Sequence, residues 1–241
     1  MKGAGRGGGR ALLIGNSRWH WAQRSDAGLQ VDHGDPDPGR IGGDPPIWAA
    51  VGPVPDQLRA HQDLRIRLDD VPLPKAPPWL GVDRALGAWM AWRCSQARQL
   101  DCSRGVLLVD AGTVLSLTRV GPDGCFAGGQ LLPGYRLQLR AMAEGTVALP
   151  SMPEQPQVDV PKEVFPKQTV AAMQRGVLQA LLSTIAVAQQ HTQSLLWICG
   201  GDAPLLQAHW TGANELLQVQ GDLQLEALLE LAAGISSDSD R

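Results

Sequence analysis

The sequence predicts an α/β protein built from two similar halves, and three observations carry that expectation. Leu13-Ile14-Gly15-Asn16 can be laid over Asp110-Ala111-Gly112-Thr113, each a short apolar strand running into a glycine turn and a second alternating strand. Strand-length apolar runs are interspersed with longer segments whose apolar residues recur every three or four positions. The 241 residues, 44% of them hydrophobic, are enough for one large core or two smaller ones. The expected division is a flexible tail over 1–10, a first domain over 11–100, a second over 101–235 and a flexible tail over 236–241.

In chain order, Ala11 to Ile14 is a strand, Gly15-Asn16-Ser17 a turn, and Arg18 to Gln23 alternates Trp19 and Trp21 with polar neighbours, a hairpin signal. Residues 25–46, rich in Gly, Pro and Asp, read as loop. Ile47 to Val51 reads as a buried strand, Pro55 to His61 as a short helix and Leu64 to Leu68 as another strand. The prolines between Val71 and Pro78 make that stretch irregular. Val82 to Leu100 has helical spacing. Three strands follow, Val106–Val109, Leu115–Val120 and Cys125–Leu132, joined by tight turns. Tyr135 to Glu144 is a short helix, Ser151 to Pro166 a proline-rich loop, and Gln168 to Gln190 a long helix apolar on much of its surface. Leu195 to Cys199 is a buried strand ending in Gly200-Gly201-Asp202; Leu216 to Val219 and a helix over Leu223 to Ala233 close the chain.

Composition narrows the function classes. A net charge of −3 with no basic stripe argues against nucleic acid as a partner. The four cysteines form no Cys-x-x-Cys pair and read as reduced thiols of a cytoplasmic protein, neither disulfides nor a zinc site. The glycine- and arginine-rich start lacks the apolar segment of a secretory signal, and no uninterrupted apolar run reaches the ~18 residues of a membrane span. None of the five histidines pairs with another at metal-ligand spacing along the chain.

Three motifs carry chemistry. Asp110-Ala111-Gly112-Thr113 can offer backbone N–H groups, a hydroxyl and one acid to a phosphate and its metal, or can simply be a strand end closed by an Asx-turn. Gly81-Val82-Asp83-Arg84 opens a helix. Asp83 there is either a favourable first-turn acid or a general base for a substrate hydroxyl, with Arg84 as a fork for a substrate carboxylate. The helix N-terminus is expected to lower the Asp83 pKa. Gly128-Gly129 and Pro133-Gly134 bracket a strand, as a bulge and a turn or as places where backbone approaches a ligand. No Walker-type loop occurs. The set points to an ATP-using enzyme that phosphorylates a small hydroxylated molecule.

Taken in order, Gly15-Asn16-Ser17, Gly-x-Asp-Arg at 81–84, Asp-x-Gly-Thr at 110–113, Gly-Gly-x-x-x-Pro-Gly at 128–134, Ala148-Leu149-Pro150, the run from Gln168 to Gly176, and Gly200-Gly201 resemble type III pantothenate kinase. That family belongs to the acetate and sugar kinase, heat-shock ATPase and actin superfamily. The resemblance implies two ribonuclease-H-like domains, the actin-like ATPase duplication, facing across a nucleotide cleft, and a homodimer. It implies ATP-dependent phosphorylation of pantothenate to 4′-phosphopantothenate, the first step towards coenzyme A, with Mg²⁺ and a monovalent cation, K⁺ or NH₄⁺. On this chain it implies Asp83 as proton acceptor, Gly81, Val82, Asp83, Arg84 and Thr169 as the pantothenate site, and Asp110 as the cation ligand. Leu13, Ile14, Gly15, Asn16, Ser17, Arg18, Trp19, His20 and Thr113 are implied to contact ATP, with the Gly15 turn on its phosphates.

Two positions depart from the family pattern. Leu13 stands where the family has Asp, and Trp79 is the nearest aromatic to a position where it has Tyr. Leu13 leaves open a relative that binds ligand without turnover, and the third reading is a kinase of another small acid or sugar.

Overall fold

The computed structural model describes residues 9–151 and 160–238, so the start of the expected N-terminal tail, the centre of the proline-rich loop and the last three residues lie outside the described residues. Packing divides the chain into two units. Among the described residues, the first comprises those up to Leu100, the short stretch Asp123–Ala127 and those from Asp222 on; the second comprises those within Asp101–Pro122 and Gly128–Gly221.

In the first unit, strands β1 (Arg10–Ile14), β2 (Trp19–Ser25), β3 (Gly28–Gly34) and β4 (Ile47–Ala50) form a sheet in the order β3-β2-β1-β4. The first three are antiparallel neighbours and β4 runs parallel to β1. Alternation sorts the hairpin's side chains. Leu12, Ile14, Trp19 and Trp21 point into an apolar cluster with Ile41, Trp48 and Leu58, while Leu13 and His20 share the other face. Helix α1 (Val82–Ala97) packs against helix α5 (Leu223–Asp238), and α5 also covers β1 and β4.

In the second unit, β5 (Val106–Ala111), β6 (Val114–Val120), β7 (Phe126–Pro133), β8 (Leu195–Cys199) and β9 (Leu217–Val219) take the order β7-β6-β5-β8-β9. Again the opening hairpin is antiparallel and the later strand β8 lies parallel to the opening strand. Helices α2 (Tyr135–Glu144), α3 (Thr169–Thr192) and α4 (Ala203–Ala208) complete this unit. Its core joins Val109, Leu115 and Leu117 to Met173, Val177, Leu178, Leu181 and Ile185 of α3.

The two sheets repeat one plan, and the repeat reaches individual hydrogen bonds. The Gly52 N–H donates to the Ile14 carbonyl at 3.3 Å, and the Asp202 N–H donates to the Ala111 carbonyl at 2.9 Å. Ile14 and Ala111 are equivalent in the Leu13/Asp110 alignment. Two α/β units sharing this strand order make the ribonuclease-H-like duplication.

Several expectations change. Residues 28–34 form β3, not loop, because the Asp26-Ala27 turn lets Leu29, Val31 and His33 pair back onto β2. Leu64–Leu68 forms no strand; 3-10 turns flank a single bridge between Trp48 and Arg65. Strand β1 begins at Arg10, whose guanidinium donates to the Asp44 and Arg40 carbonyls at 2.9 and 3.1 Å. Helix α5 folds with the first unit and runs on to Asp238, where the sequence placed a tail. Its Leu223, Leu225, Leu228 and Leu229 are buried there.

Helix α3 is long and apolar enough, by length and composition, to cross a membrane, which counting uninterrupted apolar runs had missed. Its buried face is the core just described. Each such side chain gains about 1.5–3 kcal/mol by staying there.

Candidate functional site

The first glycine turn closes the β1–β2 hairpin. The Gly15 N–H donates to the Arg18 carbonyl at 2.9 Å, leaving Asn16, Ser17 and Arg18 exposed at the tip. Gly52 presses on the turn from beside it: a Cβ at Gly52 would lie 2.2 Å from the Gly15 carbonyl oxygen. Ile14 and Trp19 spend their side chains in the apolar core, so only their backbone could face a ligand. Leu13 is buried, 7% exposed, and places no carboxylate at this turn.

Helix α1 begins at the Gly-x-Asp-Arg motif, with Gly81 as N-cap. The Arg84 N–H donates to Asp83 Oδ1 at 2.8 Å, folding the carboxylate back over the helix start. This fold-back requires glycine at 81, because a Cβ there would stand 2.5 Å from the same oxygen. Burial pushes the Asp83 carboxyl above its ordinary value and outweighs the opposing Arg84 hydrogen bond and charge. The sequence expectation of a lowered pKa is therefore reversed. The helix terminus acts in the expected direction, but desolvation is larger. A carboxylate raised in this way is the better base.

Gly81 and Val82 also wall a cleft of about 280 Å³ whose other lining residues include Ala50, Val51, Arg65, Arg67 and Leu80. Arg65 stacks over Trp48 at 4.9 Å, and Arg67 Nη2 donates to Gln62 Oε1 at 3.2 Å. The cleft thus has an apolar side and a basic side, which suits a small organic anion. Trp79, the nearest aromatic before the motif, is 73% exposed and is not among the residues lining this cleft.

In the second unit, Asp110 is the last residue but one of β5 and Gly112-Thr113 make the turn into β6, with Thr113 exposed. Two other glycines hold this turn. The Gly134 N–H donates to the Thr113 carbonyl at 2.9 Å, and a Cβ at Gly134 would lie 2.0 Å from the Gly112 carbonyl oxygen. Gly200, with φ of +87°, packs directly against this strand end: a Cβ there would meet Asp110 Oδ1 at 2.5 Å and the Ala111 carbonyl oxygen at 2.7 Å. The Asp110 carboxylate is an oxygen donor of the kind a hard cation takes. The close approach at Gly134 serves backbone packing of the turn itself. Thr169 is the exposed first residue of α3, in its first turn and not its cap, which is Gln168.

The comparisons with known proteins agree with this arrangement of motifs. The family model for type III pantothenate kinase matches residues 61–190, over half the chain.

The chain belongs to the type III pantothenate kinase family.

The type III pantothenate kinase of Synechococcus elongatus is 31% identical, over 95% of this chain and 98% of its own. That of Thermosynechococcus vestitus is 36% identical, over 81% of this chain and 78% of its own. Among solved structures, a Campylobacter jejuni protein assigned to the Baf family of transcriptional activators matches with a TM-score of 0.64 at 17% identity, covering 96% of this chain and all of that one. The ADPNP-bound activator of the 2-hydroxyisocaproyl-CoA dehydratase from Clostridium difficile matches at 0.50 and 12%, covering 96% and 95%. These two likenesses concern the fold alone.

Within this member of the pantothenate kinase family, sequence reasoning passed over three features. The alternation of Leu64 to Leu68 suggests a strand and hides the Arg65–Arg67 wall. Gly52 carried no motif. His20 and His33 stand at no metal-ligand spacing along the chain yet are cross-strand partners, and the alternation of Leu29, Val31 and His33 after the Asp26-Ala27 turn is the signal that reveals them.

Proposed function

We infer that this chain transfers the γ-phosphoryl group of ATP to the hydroxyl of pantothenate, giving 4′-phosphopantothenate and ADP, the first step of coenzyme A biosynthesis. The observation that carries the reading is Asp83: a carboxylate made more basic by burial, at the start of α1, next to residues that wall a basic-sided cleft.

In this reading the hydroxyl oxygen of pantothenate attacks the γ-phosphorus while Asp83 accepts the hydroxyl proton. The bond from γ-phosphorus to the bridging oxygen breaks and ADP leaves. Gly81, Val82 and Arg84 hold the substrate with Thr169, and Arg84 supplies a fork for its carboxylate. The tip of the first turn, Asn16-Ser17-Arg18 with the Gly15 backbone, and Thr113 on the second turn, hold the nucleotide. Asp110 would hold a monovalent cation, K⁺ or NH₄⁺, through its carboxylate oxygens. A divalent ion, Mg²⁺, accompanies ATP and offsets phosphate charge.

The protein in this reading is a cytoplasmic homodimer. Val164, Phe165 and Val187 of the second unit, 61%, 90% and 65% exposed, are apolar area available to a second copy. Sedimentation at twice the 25.7 kDa chain mass would support this, and a monomer at micromolar concentration would remove it.

The activity test is purified protein with pantothenate, ATP and Mg²⁺, with and without K⁺, followed by detection of 4′-phosphopantothenate. Product that depends on both substrates and rises with K⁺ is expected. No product, with both ligands still bound in calorimetry, would replace the reading by that of a ligand-binding relative, to which the buried Leu13 points.

A further inference from the structure

His20 and His33 are cross-strand partners, and Leu13 is the partner of His20 on the other side. The three therefore form a row on one face of the sheet, the face opposite the Trp19–Trp21 core. The imidazoles meet edge to face, with ring centroids 5.0 Å apart, and their Nδ1 atoms are 2.9 Å apart. His33 Nε2 lies 3.2 Å from Asp222 Oδ1, just ahead of α5. At the other end, a Cβ on Gly15 would stand 3.3 Å from His20 Nε2. The row thus runs from a carboxylate, through two imidazoles, to the first glycine turn.

Proton counting restricts what this row can do. An ionised carboxylate only accepts, so His33 Nε2 carries a hydrogen. One proton must also lie between the two Nδ1 atoms. With both rings neutral it belongs to His20, and His20 Nε2 then faces the turn as a bare lone pair. With one more proton in the row, the shared hydrogen belongs to His33, and His20 Nε2–H becomes a donor.

We propose that Asp222, His33 and His20 form a proton wire, in which binding of nucleotide phosphate at the Gly15-Asn16-Ser17 turn takes up one proton from solvent and switches His20 Nε2 from acceptor to donor. This rests on the reading that the turn holds ATP phosphates. The balance is simple. A proton arrives at His20 Nε2, the His20 Nδ1 proton crosses to His33 Nδ1, and Asp222 holds the resulting imidazolium. No other bond changes.

The other charged groups near the row are consistent with this direction. Burial first, then His33 and Arg18, lower the His20 pKa to about 4, so the added positive charge settles on the outer ring. Asp32, beside His33 in β3, is already paired with Arg40, leaving Asp222 as the counter-ion.

Calorimetry with the non-hydrolysable ATP analogue, in buffers of differing ionisation enthalpy near pH 8, tests the wire, since an ordinary imidazole is mostly neutral there. Wild type is expected to take up as much as about one proton per nucleotide, and His33→Asn to take up measurably less. Because the ligand's own protonation is common to both proteins, the difference belongs to the row. Imidazole ¹⁵N spectra of the wild type give a second readout: Nδ1–H on His20 without nucleotide, Nε2–H with it. Equal proton uptake in both proteins, or an unchanged His20 tautomer, overturns the wire while leaving the turn as a nucleotide site. Nucleotide affinity unmoved by Gly15→Ala and Asn16→Ala overturns the turn reading and the wire with it.

Discussion

At the scale of single residues, Asp83 shows how a site is made reactive at a cost in stability. Burial raises its carboxyl pKa, so the folded state binds this proton more tightly than the unfolded chain does. The stabilising contribution is then complete below the unfolded value and lost as pH rises through the folded one. Asp83→Asn removes the buried charge and keeps an oxygen for the Arg84 N–H. It is expected to cut turnover roughly 100- to 10,000-fold while raising the melting temperature at neutral pH, a gain that shrinks in acid. Steady-state rates and pH-dependent melting check both halves, and near-normal turnover would take the proton-acceptor role from Asp83. Gly81→Ala is a gentler probe. Its φ of −59° suits alanine, but the new methyl crowds Asp83 Oδ1. The fold should survive, and kcat should fall by as much as about 100-fold through a displaced carboxylate.

At the scale of elements, the two sheets put their opening turns under pressure from glycines remote in sequence. Gly52 presses on the first turn, while Gly134 and Gly200 press on the second. For Gly134 the opposing atoms are the Gly112 and Thr113 carbonyl oxygens, at 2.0 and 2.8 Å from a hypothetical Cβ, and backbone cannot swing aside as a side-chain end can. Gly134→Ala is therefore expected to cost about 1–3 kcal/mol and to weaken nucleotide binding together with stability. Chemical denaturation alongside nucleotide titration measures both. Stability unchanged within error would show that β7 and the turn are looser than the structure has them.

At the scale of the whole molecule, the last helix joins the chain's end to its beginning. Helix α5 places Leu223, Leu225, Leu228 and Leu229 in the interior of the first unit, and Glu230 pairs with Arg93 of α1. Four buried leucines amount to roughly 6–12 kcal/mol, comparable to the whole stability of a domain. A chain ending at Gly221 should lose the cooperative unfolding of the first unit, read by calorimetry or hydrogen exchange. Leu228→Ala in the full chain should cost about 2–5 kcal/mol. A truncated chain that melts like the full one would contradict this packing.

Patterns of hydrophobicity and turn residues were enough to determine the α/β class, the two opening hairpins, the helix at the Gly-x-Asp-Arg motif and both bounds of α2. These depend on neighbours a few residues apart, whose spacing along the chain is their spacing in space. Local pattern misjudged β3, because its exposed alternation looks like loop until β2 lies beside it. It also misjudged the direction of the Asp83 pKa shift, because the helix terminus is legible from sequence whereas the burial that overrides it comes from the surrounding packing. The Asp222–His33–His20 row spans about two hundred positions in the chain and has no spacing to read. Strand register and the return of α5 to the first unit bring its members within hydrogen-bond reach, and that was decided only by tertiary structure.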